Sequence, residues 1–526
     1  MKEQHSVMWG IDDTAKQLGP ISQLRVGPFG HVVVIADLNE TEALLTRRHS
    51  SLERDSSSIS IFRTIIPGAL LTLKTNEVWK HHRRIIGPAM TSKYLTLTMP
   101  KAYDSVGQLI ELWKAKGDIC GDRSWSAGSD LEGATMDAIC GMAFGHPWGV
   151  IRQYTHLVRA MDRQRLPVGP LGAIDFKLVA PDLAESTWRI FTSIPLRGPF
   201  PRISHFVTRL SASYRRQARL VDQFLDRKLI EARQKAKLLG ADSANETADN
   251  TLDMMVAREL RGEDWMTDEE MKQELFQYLL AGTETSSTTL SWWCKFMTNH
   301  PEVQRKLRAH LYERLPDVQN GTPSFEELNA ANTPYLEAVV HETLRLARTA
   351  GGVSREVKHD MFILGKLVPK GTQLVLPTSI GCEDLSSPVS APLHTDDEKS
   401  RGYKNPQASF WAGPTDAENF PRKVGFWKAG TGLQFDPERW MDQDGKFDIH
   451  AGPSMPFSLG QRGCFGKNLA MLELRVFVSQ LNVAFFFAPI PESQNIFDRV
   501  ETVTSHPIYS YIRPVPWSTV EAQGDT

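Results

Sequence analysis

Thr267-Asp268-Glu269-Glu270 opens a run with no proline before Pro301. Thr267 followed three residues later by Glu270 has the form of a capping box, in which hydroxyl and carboxylate each satisfy a backbone N–H at a helix start. The run predicts one helix of about thirty residues, well beyond the roughly 11–12 usual in globular proteins. A helix of that length crosses a whole domain, so the rest of the chain must be arranged around it. Its one glycine is Gly282, in Ala281-Gly282-Thr283-Glu284-Thr285-Ser286. Glycine inside a helix costs about 1 kcal/mol against alanine, and close approach of a ligand is the expected compensation. The Thr285 hydroxyl is placed to bond back to the carbonyl of residue 281, which bends helices. The groove so formed would set an acid and an alcohol, Glu284 and Thr285, side by side. A Ser/Thr-rich face packed in the core is the competing reading.

A second stretch, Phe457 to Ala470 (FSLGQRGCFGKNLA), places Cys464 among glycines. Gly460, Gly463 and Gly466 let the backbone turn sharply and approach a flat partner closely. Leu469, Leu472, Val476 and Leu481 follow at roughly helical spacing. Cys464 therefore precedes a helix N-terminus, where N–H groups and the dipole favour a thiolate. A thiolate held by a loop is a strong, soft ligand for iron, and cysteine is one of the axial ligands of haem. The plainer alternative is a buried cysteine in a glycine-rich turn.

Phe457, Gly460, Arg462, Cys464 and Gly466 stand as F-x-x-G-x-R-x-C-x-G, five fixed positions in ten residues. This resembles the haem-ligand signature of the cytochrome P-450 monooxygenases. The segment around Glu284 and Thr285 resembles the same family's oxygen-activation motif. Reductive use of dioxygen consumes protons, and a threonine with ordered water and a nearby carboxylate can relay them. Thr333-Pro334 is a sound helix start, and Glu342 and Arg345 follow on it three apart. They resemble the family's E-x-x-R, and Phe435-Asp436-Pro437-Glu438-Arg439-Trp440 resembles its P-x-R motif. The resemblance implies a buried triad of Glu342, Arg345 and Arg439 behind the cysteine loop. It also implies that Trp79 and Arg83, spaced as W-x-x-x-R, face the haem propionates together with Arg355 and Arg462. Indole N–H and guanidinium groups both donate to carboxylates. Lys80, His81, His82, Arg84 and Lys93 around that pair read as a solvated basic face, or as a docking patch for an acidic redox partner.

The fold implied is mainly α with a small β-rich lobe, a single catalytic domain over about 20–515. A segment 1–19 without a membrane anchor precedes it, and a tail 516–526 follows. The implied enzyme carries haem b with Cys464 as axial ligand and inserts one oxygen atom from O2 into a small apolar substrate of secondary metabolism. Glu284 and Thr285 would manage proton delivery. Electrons would come from NADPH through a separate reductase, since the chain shows no flavin or nicotinamide fingerprint. The nearest resemblance is to fungal-type members, intracellular and at the cytosolic face of the endoplasmic reticulum. One rival is a haem-thiolate isomerase or dehydratase, against which the intact Glu284-Thr285 pair speaks. The other is a non-catalytic haem-binding sensor, which would not need the apolar segments near 59–71 and 275–280.

Composition excludes other classes. With 23% charged residues and a formal net charge of −2, nothing calls for nucleic acid. Five cysteines, odd in number, widely spaced and without C-x-x-C pairs, argue against a disulfide framework or zinc site and for a reducing compartment. The first twenty residues lack a signal-peptide run, and no stretch reaches the roughly 18 uncharged apolar residues of a membrane span.

Elsewhere, residues 22–38 predict a hairpin turning at Gly27-Pro28-Phe29-Gly30, and Leu364–Thr378 predicts strands around Pro369-Lys370-Gly371. Residues 54–74 read as a surface loop that, by the resemblance, covers the substrate pocket. Residues 103–235 read as helical with breaks at 145–147, 169–170 and 197–201; the resemblance makes 150–225 the pocket roof. Residues 235–250 read as an exposed linker, and 383–432 as a long polar, Pro/Ser-rich surface insert.

Overall fold

The computed structural model describes residues 18–26, 30–193, 201–263, 265–318, 321–378, 427–428 and 431–524. The turn at 27–29, the break at 197–200 and nearly all of the 383–432 insert lie outside the described residues. In chain order the helices are α1 (Leu38–Thr46), α2 (Ser56–Phe62), α3 (Glu77–Ile86), α4 (Ser92–Cys120), α5 (Gly128–Phe144), α6 (Val150–Arg159), α7 (Asp182–Thr192), α8 (Pro201–Leu210), α9 (Ala212–Leu239), α10 (Ala241–Glu246), α11 (Thr251–Leu260), α12 (Asp268–Asn299), α13 (Pro301–Arg314), α14 (Pro334–Ala347), α15 (Lys467–Ala484) and α16 (Trp517–Gly524). The strands that matter below are β1 (Ile21–Val26), β2 (Gly30–Ile35), β3 (Leu52–Arg54), β4 (Trp125–Ser126), β5 (Gly352–Val357), β6 (Met361–Ile363), β7 (Lys366–Val368) and β8 (Gln373–Pro377).

The chain divides into two compact units, one of residues 1–58, 341–465 and 499–505, the other of 59–340, 466–498 and 506–526. The first holds a five-stranded sheet in the order β1-β2-β8-β5-β3. The predicted hairpin forms, β1 pairing antiparallel with β2 from Ile21↔Ile35 to Val26↔Gly30. Strand β8 then adds parallel to β2, β5 antiparallel to β8, and β3 antiparallel to β5. Ile35, Leu44, Leu52, Val357, Ile363, Leu374 and Leu376 form its apolar core, with α1 supplying Leu44. The predicted turn after β7 holds, with Gly371 at φ +82°.

The second unit is helical. Helix α12 runs 32 residues, about 48 Å at 1.5 Å per residue, and its capping box is realised. Thr267 Oγ1 accepts from the Glu270 N–H at 3.3 Å, and the Thr267 N–H donates to Glu270 Oε2 at 2.9 Å. Pro301 opens α13 directly after it.

Two expectations change. The stretch 235–250 is not a linker: α9 continues to Leu239 and α10 covers 241–246, because its Ala, Lys and Leu are strong helix formers. Residues 54–74 are not an open surface loop. Strand β3 and helix α2 occupy the start, and Ile59, Ile66, Ala69 and Leu70 are buried. Three acceptors on one face of α12 hold the following backbone: Gly68 N–H donates to Gln273 Oε1 at 2.5 Å, Leu70 N–H to Glu274 Oε1 at 2.6 Å, and Leu71 N–H to Gln277 Oε1 at 2.6 Å.

Candidate active site

In the sheet unit the cysteine loop is shaped by one glycine above all. Gly460 sits at φ +71°, and a Cβ there would lie 1.9 Å from the carbonyl oxygen of Leu45 on α1. No rotamer relieves a clash with backbone, so only glycine fits. A short 3-10 turn at Gly460–Arg462 follows, and Cys464 N–H donates to the Phe457 carbonyl at 2.8 Å, closing the loop. Cys464 is exposed, whereas Cys120, Cys140 and Cys294 are buried. Burial pushes the Cys120 thiol up to about 11, which leaves it inert as a nucleophile or ligand at neutral pH. Of these four cysteines, the solvent-facing one is the residue singled out by the sequence pattern. Cys382 lies outside the described residues.

The predicted triad forms, with more partners than the sequence pattern suggested. Glu342 is fully buried and its carboxylate accepts five hydrogen bonds. Oε1 takes Arg345 Nη2 at 2.8 Å, the Asp436 N–H at 2.9 Å and Arg439 Nε at 3.0 Å. Oε2 takes Arg345 Nε at 2.7 Å and Trp440 Nε1 at 2.9 Å. The guanidinium carbons of Arg345 and Arg439 lie 5.5 and 5.3 Å from the ring centroid of Trp427. The remaining guanidinium donors reach the backbone: Arg345 Nη1 the Gly432 carbonyl at 2.6 Å, Arg439 Nη2 the Thr431 carbonyl at 3.0 Å. Two fork-shaped cations around one carboxylate are a geometry that lysine does not satisfy.

Arg462 Nη2 lies 3.9 Å from Glu53 Oε1, with its side chain almost wholly buried. Arg355, on β5, is buried as well. Its Nη1 donates to the Ser354 carbonyl at 2.8 Å, while its Nη2 has no hydrogen-bond partner. Burial, then repulsion from Arg54, pulls its guanidinium down to about 10.

In the helical unit the one glycine of α12 is accounted for by packing. A Cβ at Gly282 would lie 2.6 Å from Ile139 Cδ1 of α5, so a neighbouring helix makes a close approach there. Thr135 Oγ1 of the same helix donates to the Thr283 carbonyl at 3.3 Å. One turn further along, the predicted back-bond is present: Thr285 Oγ1 donates to the Ala281 carbonyl at 2.6 Å. Glu284 stands beside it, half-buried. Glu132 of α5 is pushed up to about 8 by burial and then by the charge of Glu284, which places a neutral acid near an acidic neighbour at neutral pH.

Trp79 is buried on α3, and the Arg83 guanidinium carbon stacks 5.2 Å from its ring centroid. Burial lowers the Arg83 pKa. Of the surrounding basic residues, Lys80, Arg84 and Lys93 are exposed as expected. His82 is not. It is buried, with Nδ1 2.7 Å from Glu274 Oε1 and Nε2 3.5 Å from Glu270 Oε1. Burial alone would lower the imidazole; the two carboxylates overcome it and hold His82 above its ordinary value.

Sequence reasoning passed over Glu473. It is fully buried on α15, Ser286 Oγ donates to its Oε2 at 2.5 Å, and its Oε1 has no hydrogen-bond partner. Burial pushes the carboxyl up to about 8, against the pull of Ser286. Its signal was present: four residues after Leu469 and three before Val476, it falls inside the apolar stripe of its helix.

The sequence profile described as Cytochrome P450 matches residues 2–384 and 431–509. The chain belongs to the cytochrome P450 family. It is 28% identical over 541 residues to the cytochrome P450 monooxygenase TRI13 of Fusarium sporotrichioides, covering 96% of this chain and 89% of that protein. It is 29% identical over 502 residues to the cytochrome P450 monooxygenase xilC of Penicillium rubens, covering 90% and 81%. A Dothistroma septosporum protein named as a Hps1-dma1 cluster cytochrome P450 monooxygenase, cyp3.1, is 32% identical over 326 residues, or 57% of this chain and 96% of its own. The mainly helical architecture with a small sheet region is that of the P450 fold.

The residues present suit the haem that the family carries. A buried guanidinium nitrogen of Arg355 lacks an acceptor, which is what a carboxylate-bearing group would supply. A Cβ at Gly466 would meet no atom of the chain within 4 Å, so the protein itself does not demand glycine beside Cys464. Among the described residues no helix is long and apolar enough to cross a membrane.

Proposed function

We propose that the chain is a haem-thiolate monooxygenase of secondary metabolism, acting on a small apolar organic substrate. The observation that carries this is an exposed cysteine on a loop that only glycine at 460 can build, in a chain of the P450 family. Residues 20–515 act as one catalytic domain, a reading supported by a family match that spans both units.

Cys464 is the thiolate ligand of haem b, and Arg462, Trp79, Arg83 and Arg355 hold its propionates through charge-assisted hydrogen bonds. When bound, the haem activates dioxygen so that one oxygen atom enters the substrate and the other leaves as water. The protein's part is to supply protons and exclude bulk solvent. Thr285 spends its hydroxyl proton on the Ala281 carbonyl, which leaves its oxygen lone pairs turned to accept from a proton-bearing water. Glu284, next along, is the carboxylate that recharges that water, with Glu132 as a neighbouring acid. The Glu342–Arg345–Arg439 cluster keeps the sheet unit rigid behind the cysteine loop. Electrons come from NADPH through a separate reductase at the cytosolic face of the endoplasmic reticulum.

Cys464→Ser should abolish the thiolate-specific absorption of the reduced carbon monoxide adduct. An unchanged spectrum would remove Cys464 from its role and the monooxygenase reading with it.

A further inference from the structure

His82 of α3 has a carboxylate at each of its ring nitrogens. Nδ1 lies 2.7 Å from Glu274 Oε1 and Nε2 3.5 Å from Glu270 Oε1, both on α12. The His82 side chain is 1% exposed and that of Glu274 2%. A neutral imidazole has one N–H and one lone pair. With its N–H spent on Glu274, a neutral His82 would turn the Nε2 lone pair toward the Glu270 carboxylate. Only the doubly protonated ring offers a donor to both. Burial works against that charge, and the two carboxylates outweigh it.

The same Glu274 oxygen holds the chain that follows α2. Oε1 accepts from the Leu70 N–H at 2.6 Å as well as from His82. On either side of it, Gln273 and Gln277 take the N–H groups of Gly68 and Leu71. Residues 273, 274 and 277 share a face of α12, and this row fixes the 68–71 backbone. Take the charge from His82, and Glu274 is a buried carboxylate facing neutral donors alone: Leu70, the imidazole, and Gln277 Nε2 at 3.3 Å from Oε2. A buried ion stripped of its partner is strongly disfavoured. Release of the 66–73 segment, which lets water reach Glu274, relieves it.

The other charges around His82 have partners of their own. Residues 66–73 carry no ionisable side chain. On α3, Lys80 pairs with Glu77, Arg83 stacks on Trp79, and Arg84 Nη2 lies 3.2 Å from Nδ1 of His81, whose Nε2 is 2.8 Å from the Trp265 carbonyl. On α12, Lys272 faces Asp222 and Asp226 of α9, and Glu269 accepts from Gln273. On α11, which packs against α3, Asp253, Arg258 and Glu259 pair with Lys235, Glu263 and Arg233.

We propose that His82 and Glu274 form a proton-operated clasp, fastening residues 66–73 to α12 while His82 is charged and releasing them when it is neutral. The device lies wholly within the helical unit and stands apart from the haem reading.

His82 is held above its ordinary value of 6.5, so the clasp is at full strength below pH 6.5 and is lost as pH rises through the folded value. Over that window opening releases one proton and is favoured by up to about tenfold more per pH unit. Hydrogen exchange of the full-length protein, corrected for intrinsic amide rates and run from about pH 5.5 to 9, reads this. Peptides covering 66–73 should lose protection with that slope and exchange faster than those covering α5. His82→Gln, neutral throughout, should leave 66–73 poorly protected even at the acid end, with no slope. Glu274→Gln keeps an acceptor for Leu70 and removes the charge, and should show no slope either.

A flat parent profile would overturn the proposal. So would an unchanged slope in His82→Gln, which assigns the proton to another group. Peptides of 66–73 that never exchange faster than α5 would overturn it too, because the segment would then open only with the whole helical unit. Should both variants fail to fold, the parent's profile at 66–73 against that of α5 decides alone.

Discussion

Glu342→Gln is the sharpest test of the structural argument, because it keeps the side chain's volume and removes only charge and one acceptor. If the amide oxygen takes the place of Oε1, it still accepts from Arg345 Nη2, Asp436 and Arg439. The amide nitrogen then stands where Oε2 was, facing Arg345 Nε, formerly at 2.7 Å, and Trp440 Nε1, formerly at 2.9 Å. Donor meets donor twice. Flipping the amide only transfers the conflict to the three donors at Oε1. Breaking a buried ion pair by removing one partner costs roughly 3–5 kcal/mol, a large share of the 5–15 kcal/mol by which a typical domain is stable.

Guanidinium chloride titration followed by circular dichroism reads this loss. Its midpoint should fall sharply, and haem content after expression should fall with it. Arg439→Met should cost less, because Arg345 remains on Glu342 through two hydrogen bonds. A Glu342→Gln protein within about 0.5 kcal/mol of the parent, the range of ordinary surface changes, would refute the claim that this carboxylate locks the unit.

Three further outcomes follow from single sites. Gly460→Ala should lose at least about 2 kcal/mol, from the left-handed φ and the overpacking against Leu45 together, and should load little haem; normal loading would mean the loop is built otherwise. Glu473, pushed up to about 8, is protonated in the folded chain where the unfolded chain is ionised. Its contribution is complete below pH 4.5 and lost as pH rises through 8, at up to about 1.4 kcal/mol per pH unit, so Glu473→Gln should flatten that slope in urea titrations across pH 5–8. Lys295 is buried over the Phe497 ring and burial lowers it to about 8. A depressed ammonium contributes stability only above its unfolded value and loses it as pH falls through 8, so Lys295→Met should be stabilising at pH 7, with the gap to the parent closing towards pH 10.5; a destabilised variant at pH 7 would show the cation–π contact to dominate.

What could be read in the sequence divides along a physical line. Features fixed by local chemistry were legible: the capping box at Thr267, the back-bond of Thr285 and the turn at Gly371 each depend on residues within a few positions. So were the arginine forks of the triad, but only because the resemblance joined Glu342 to Arg439 across a long separation. Features that depend on what packs against a residue were not. Gly282 suggests room for a ligand in the sequence, and the sequence gives no sign that its Cβ direction is closed by Ile139. His82 was counted with a solvated face because its chain neighbours are basic, and it is buried against a carboxylate that the sequence sets 192 positions away. Residues 54–74 looked like a loop because their own pattern is mixed, while the acceptors that hold their backbone belong to α12.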